Sequence, residues 1–177
     1  MGKVLFFISR NAHNAHKKGN MGSDPLVNAK PRRLVPPLLL APLILLSIFI
    51  LHFVFPIQMI LGFPFTLIGL APLIIGLFIT LQATRTLTNR TTFDSNETPK
   101  NLVTEGAFQH SRNPMYLGAI VLGFGLVTLL SSLVSFVILA AFFLLLHFLY
   151  IPNEEAQLKT LFGKEYLDYM KRVRKWI

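Results

Sequence analysis

The stretch that decides the fold is residues 115–151, MYLGAIVLGFGLVTLLSSLVSFVILAAFFLLLHFLYI, which contains no Lys, Arg, Asp or Glu. An apolar stretch of about 20 residues spans a bilayer as a helix, so this run is long enough for two passes. The dipeptide Ser131-Ser132 lies near its middle and is suited to a turn. We therefore predict a membrane hairpin with one span over 115–130 and a second over 133–151.

Polar residues are concentrated at both ends of this hairpin. The entrance, residues 102–118, holds a Glu, a His, an Arg and an Asn, and Glu154-Glu155 follows the exit. Because a hairpin returns to the side from which it started, we predict that Arg112 and the two glutamates form a bipartite site at the membrane surface. A simpler explanation remains open: Arg112 anchors the chain among headgroups, while Asn153 caps a helix whose first turn contains both glutamates.

Composition extends the membrane assignment to the whole chain. Of its 177 residues 53% are hydrophobic and 14% charged, whereas soluble domains have about 25% charged residues. The fold class predicted is all-α, a polytopic membrane protein with about four transmembrane helices. The earlier spans are expected at 34–55 and 57–82, after a polar tail at 1–33 that we expect to be disordered. Residues 34–177 form one membrane domain that ends in an amphipathic interfacial helix at 153–175.

The net charge of +9 does not indicate nucleic-acid binding, because the basic residues follow membrane topology. All 17 Lys and Arg lie in 1–33, 83–114 or 152–177, the segments that would share one side of the membrane. This is the positive-inside pattern, so we expect both termini in the cytoplasm and membrane lipids as partners. The chain has no cysteine, which excludes disulfides and thiolate metal sites, and we predict no metal site.

Small residues recur at seven-residue spacing in two of the predicted spans. Gly62, Gly69 and Gly76 share one helix face, and Gly118, Gly125 and Ser132 another, which would let the helices approach closely. His147 lies within the last span; we expect it to be neutral and bonded to a neighbouring helix rather than functional, although an intramembrane histidine is a candidate for function.

Three blocks in the C-terminal half resemble the isoprenylcysteine carboxyl methyltransferase family and the related phospholipid N-methyltransferases. The first is Leu-Val-Thr-x-Gly-x-Phe-x-x-x-Arg-Asn-Pro-Met-Tyr-Leu-Gly from Leu102, the second Glu154-Glu155-x-x-Leu158, and the third Phe162-Gly163-x-x-Tyr166-x-x-Tyr169. The resemblance implies an integral-membrane methyltransferase that uses S-adenosylmethionine. It further implies a set of cofactor-binding residues, namely Leu102, Val103, Phe108, Asn113, Pro114, Met115, Tyr116 and Glu154.

The residues themselves agree with this chemistry. Phe108 and Tyr116 can stack or contact a cation, and Arg112 can hold a carboxylate with a bidentate fork. We predict Arg112 and Glu155 as the catalytic residues. The acceptor is expected to be a lipophilic small molecule or a lipidated molecule. A carboxylate acceptor needs no base, whereas an amine must lose a proton, for which a glutamate could serve.

Two features keep other functions open. Tyr150 stands where the carboxyl methyltransferases tend to have an Arg suited to a substrate carboxylate, which weakens the isoprenylcysteine assignment. A nicotinamide-dependent reductase of the sterol type and a non-catalytic lipid-binding protein are the alternatives.

Overall fold

The fold is built from helices that a computed structural model describes over residues 37–54, 61–91 and 99–177. The predicted tail at 1–33, the start of the first span and parts of the connections at 55–60 and 92–98 lie outside these ranges. The long helices are α1 (Pro37–Val54), α2 (Leu70–Arg90), α3 (Pro114–Leu130), α4 (Leu133–Leu145), α5 (Ile151–Phe162) and α6 (Lys164–Arg172). Short 3₁₀ turns at Phe65–Gly69 and Gly106–Gln109 precede α2 and α3, and a π-helical turn, Leu146–Tyr150, joins α4 to α5. The all-helical prediction is confirmed for the described residues.

Two helical segments are long and apolar enough to cross a membrane. Phe65–Arg90 has 26 residues and Leu133–Phe162 has 30, while Pro42–Val54 and Pro114–Leu130 are shorter apolar helices. Many large apolar side chains of these helices are exposed; Ile74 and Phe78, for example, are each 62% exposed. A soluble protein would bury such residues. These features indicate a membrane protein; the count of four spans stays a prediction.

Glycines bring α2 and α3 into close contact. A Cβ at Gly69 would lie 2.6 Å from the Gly125 carbonyl oxygen, and one at Gly76 would clash with the backbone of Leu122. Gly118 and Gly125 meet α2 in the same way, so the two predicted small-residue faces pack against each other. Gly62 does not take part: a Cβ there would meet nothing within 4 Å.

The hairpin turns at Ser131, which adopts φ 51° and ends α3. The Ser131 hydroxyl donates to the Leu61 carbonyl oxygen at 2.9 Å and also accepts from the Leu61 N–H. The turn between α3 and α4 is thereby fastened to the segment that leads into α2. The predicted hairpin is present, with its turn at the predicted dipeptide.

α2 continues beyond the span predicted at 57–82 and ends at Arg90, because a change from apolar to polar residues moves a helix out of lipid without breaking its backbone bonds. The N-cap prediction for Asn153 is wrong: Asn153 lies inside the continuous helix, and its amide donates to the carbonyl oxygen of Leu149, one turn back. Gly163, which adopts φ 51°, separates α5 from α6, so the interfacial segment predicted at 153–175 contains two helices.

Candidate active site

The entrance loop, residues 102–113, is held against α2 before it enters α3. Gly106 adopts φ +59°, and a Cβ there would lie 2.9 Å from the Thr86 hydroxyl oxygen, so the tight turn needs glycine. Val103 is buried. Pro114 occupies the first turn of α3, where its missing N–H and fixed φ cost nothing. The loop therefore delivers Arg112 and Asn113 to the start of α3 in a fixed geometry.

Arg112 meets Glu155 across the hairpin, with Nη2 3.2 Å from Oε1 and side chains only 9% and 10% exposed. The attraction is one of charge rather than of a directed hydrogen bond. Among the described residues, Arg112 Nε and Nη1 are buried without an acceptor, and Glu155 Oε1 is buried without a donor. An arginine that only anchored the chain among headgroups would be solvated. Buried N–H groups of this kind call for a further partner.

Tyr116 and Glu154 form the second contact across the hairpin. The Tyr116 hydroxyl donates to Glu154 Oε1 at 2.8 Å, and the tyrosine is 8% exposed. Within the described ranges Glu154 has no ion-pair partner. The two adjacent glutamates therefore differ: Glu155 is neutralised by a cation, whereas Glu154 is held by a neutral phenol.

Two tyrosines of α6 close the site from the other side. Tyr166 and Tyr169 are 2% and 3% exposed, and the Tyr169 hydroxyl donates to the Phe108 carbonyl oxygen at 2.6 Å. Burial raises the pKa of Tyr169 to about 12, although the Arg112 charge partly opposes the shift. Burial and the charge of Glu155 raise the pKa of Tyr166 as well. Both phenols are therefore neutral at physiological pH. Both tyrosines lie in the third sequence block, but they were not predicted as site residues.

The C-terminal segment, residues 173–177, lies across the entrance loop. The Arg112 backbone N–H donates to the Arg174 carbonyl oxygen at 3.0 Å. The Lys175 carbonyl oxygen accepts from the Asn113 amide at 3.1 Å and from the Ser111 hydroxyl at 3.3 Å. The Ser111 hydroxyl also accepts from the Asn113 backbone N–H at 3.1 Å, and Ser111 is 1% exposed. Neither Ser111 nor this segment was singled out from the sequence, since main-chain carbonyls carry no sequence signal.

A cavity of about 380 Å³ opens beside the entrance loop. It lies between the loop and α6, and it is lined by Thr104, Glu105, Gln109, Tyr169, Arg172 and Val173. Tyr169 is thus shared by this cavity and by the contact to Phe108.

The structure brings together five of the predicted site residues, Arg112, Asn113, Tyr116, Glu154 and Glu155. Phe108 joins them through its carbonyl and Tyr169. The others supply apolar surface along the entrance loop and the first turn of α3, without a polar link to the carboxylates: Leu102, Val103, Pro114 and Met115. In the described ranges no group of three or more His, Cys, Asp or Glu could hold a metal ion.

Comparison with known proteins identifies the family. The family model described as phospholipid methyltransferase matches residues 65–165, more than half of the chain and the whole of the site except its C-terminal end. The chain belongs to this family. The resemblance read from the three sequence blocks is confirmed.

A curated relative agrees with the family match. The chain is 36% identical over 72 residues to Protein-S-isoprenylcysteine O-methyltransferase B of Arabidopsis thaliana, and the match covers 41% of this chain and 36% of the relative. The chain therefore matches well under half of that protein's length. No solved structure matches the chain.

Proposed function

We propose that this protein is a membrane methyltransferase that moves a methyl group from S-adenosylmethionine to a lipid-like acceptor. The observation that carries the proposal is the pair of contacts, Arg112 to Glu155 and Tyr116 to Glu154, across a hairpin of apolar helices. Membership of the phospholipid methyltransferase family supports a methyl transfer over the reductase and lipid-binding alternatives. The name of the Arabidopsis relative supports a lipidated acceptor.

The residues present fit the cofactor. S-adenosylmethionine, when bound, supplies a methyl group made electrophilic by a sulfonium, together with an amine, a carboxylate and an adenosine. The unpartnered N–H groups of Arg112 can bind a carboxylate. Glu154 can bind a cation or ribose hydroxyls. The rings of Phe108 and Tyr116 offer faces for stacking or for a cation.

The chain's own contribution to the reaction is positioning and the exclusion of water. Methyl transfer is an in-line displacement, for which the alignment of donor and acceptor supplies much of the rate. The buried α6 tyrosines and the C-terminal segment shield the site from the aqueous side. Low polarity around the pairs strengthens every charge interaction there.

The two glutamates suit different acceptors. A carboxylate acceptor needs no base, and Arg112 is the described group that can orient one. An amine acceptor must lose a proton, and Glu154 is then better suited than Glu155 to take it, because Arg112 already neutralises Glu155. In that case Glu155, which the sequence predicts as catalytic, would serve only to orient Arg112.

The topology belongs to the same proposal. Four spans with both termini in the cytoplasm would place the entrance loop, α5 and α6 on the cytoplasmic face, where the water-soluble cofactor is available. A hydrophobic acceptor would reach the site from the bilayer between the spans. α5 and α6 would lie in the membrane interface, as predicted for residues 153–175.

The test is methyl transfer by the purified, reconstituted protein. Labelled S-adenosylmethionine is incubated with protein and a total lipid and small-molecule extract, and the labelled product is identified. Calorimetry with S-adenosylhomocysteine and with a nicotinamide cofactor separates the function classes. We expect binding of the first and none of the second. Absence of both labelled product and S-adenosylhomocysteine binding at millimolar ligand would refute the proposal.

A further inference from the structure

Trp176 connects the C-terminal segment to the second arm of the hairpin, which consists of α4 and the π-helical turn that follows it. Its indole N–H donates to His147 Nδ1 at 3.1 Å. The two ring planes are nearly parallel, with an angle of 11° between them and 6.3 Å between the ring centroids, and the Phe143 ring centroid lies 5.2 Å from that of the indole. His147 lies in the π-helical turn, so the predicted hydrogen-bonded histidine is present, but its partner is the C-terminal segment instead of a neighbouring helix.

This contact makes the C-terminal segment a bridge between the two arms. One end of it is bonded to the entrance loop through the carbonyls of Arg174 and Lys175. The other end is bonded to His147 in the π-helical turn, seven residues before Glu154. The loop carries Arg112 and the helix carries Glu155, so the bridge spans the same two arms as the buried ion pair.

Ordinary interfacial anchoring does not explain the geometry. Tryptophans near a membrane surface usually point the indole N–H at headgroups or water. Here the N–H is used by a side chain of the same protein, and the ring packs against the apolar core of the hairpin. The three hydrogen bonds to the entrance loop are likewise internal.

We propose that Trp176 and His147 form a latch that positions the entrance loop. By holding residues 174–175 across the entrance loop, the latch fixes the backbone of Arg112 and the side chain of Asn113 relative to the glutamates. Trp176 and His147 are positioning residues, since they act through the carbonyls of the C-terminal segment. This inference rests on the proposed function for its effect on turnover, but the latch itself can be observed without any reaction.

The experiment uses the natural tryptophan. Trp176 is the single tryptophan of the chain, so its emission and its quenching by acrylamide report the latch directly in the reconstituted protein. His147→Leu removes the acceptor and strands the indole N–H, whereas His147→Asn keeps an oxygen acceptor near the position of Nδ1. Ile177→Ala is the matched control, because Ile177 is next in sequence and 76% exposed.

We expect a shielded, blue-shifted emission in the wild type, in Ile177→Ala and in His147→Asn, and an exposed emission in His147→Leu. We expect kcat to fall by about tenfold or more in His147→Leu, with the KM of the acceptor unchanged, since loss of positioning acts on the transition state. His147→Asn should restore most of the rate. Equal thermal midpoints of the Leu and Asn variants would exclude a general loss of stability.

Two results would overturn the latch as a positioning device. One is a solvent-exposed wild-type emission that His147→Leu leaves unchanged, which would show that the contact does not exist. The other is an exposed emission in His147→Leu with wild-type kcat, which would show that the contact does not serve the reaction. A wild-type protein that binds no S-adenosylhomocysteine and transfers no methyl group overturns the proposed function and the positioning role together. The emission still decides whether the latch forms.

Discussion

The buried ion pair between Arg112 and Glu155 gives the sharpest test of the site, because the protein contains an exposed pair of the same length. Arg112 Nη2 and Glu155 Oε1 are 3.2 Å apart with side chains 9% and 10% exposed, and Arg90 Nε and Glu105 Oε2 are also 3.2 Å apart but 64% and 60% exposed. Distance is thus held constant while burial changes. The cost of removing one partner should follow burial.

The expected loss in the free energy of unfolding depends on how well water can solvate the charge that is left unpaired. Removing one member of a buried pair leaves an uncompensated charge and costs about 3–5 kcal/mol, whereas replacing both members with uncharged groups is often nearly neutral. We therefore expect Arg112→Met and Glu155→Gln each to lower the free energy of unfolding by several kcal/mol, and the double variant to recover most of it. Arg90→Met and Glu105→Gln should each cost about 1 kcal/mol or less, since an exposed pair is screened by water.

The assay separates stability from activity. Unfolding in mixed micelles gives the free energies, and methyl transfer gives the turnover of the same samples. If each single variant costs about 3–5 kcal/mol and the double variant is nearly neutral, the coupling energy of the buried pair should be at least about 5 kcal/mol, and that of the exposed pair close to zero. The double variant of the buried pair should be folded but inactive. If the single variants lose less than about 1 kcal/mol, the burial argument is wrong, and if the double variant keeps its turnover, the pair is structural.

Three further predictions concern packing, pH and topology. Gly76→Ala should destabilise the protein by about 1–3 kcal/mol because its Cβ meets the α3 backbone, while Gly62→Ala, which meets nothing within 4 Å, should leave the unfolding midpoint unchanged. Burial raises the pKa of Tyr169 in the folded protein to about 12, so the unfolded chain ionises this phenol at lower pH than the folded protein does. The free energy of unfolding should therefore fall as pH rises from about 10 to 12. In thermal melts at a series of pH values, Tyr169→Phe should show a weaker dependence of the midpoint on pH. Reporter fusions after Pro56 and after Ser131 should both report the outer side, and a cytoplasmic signal from either would contradict the four-span topology.

Features encoded in short-range composition could be predicted from the sequence. The charge-free run gave the hairpin, and Ser131-Ser132 gave its turn. Seven-residue spacing of glycines identified the faces on which α2 and α3 meet, except at Gly62, which precedes the first turn of the helix. The meeting of Arg112 with the glutamates followed from the return of the hairpin to one side.

Details that depend on helix phase could not be predicted. The sequence did not show whether Arg112 pairs with Glu154 or Glu155, because neighbouring helix positions differ by about 100°. Asn153 was misread as a cap because a polar residue after an apolar run has the same pattern whether the helix starts there or continues. The roles of Ser111 and the C-terminal segment depend on backbone carbonyls, which any sequence provides.

The π-helical turn sets the phase of the helix that carries Glu154 and Glu155. Its wider ring inserts a residue into the helix, and an extra residue rotates everything that follows by about 100°. α4 can therefore keep its apolar face on the hairpin core while α5 turns Glu155 toward Arg112 and Glu154 toward Tyr116. The same turn carries His147, which receives the indole of Trp176. One irregular turn thus sets the direction of the carboxylates and the attachment of the C-terminal segment, which is why the site depends on helix phase and not on polarity alone.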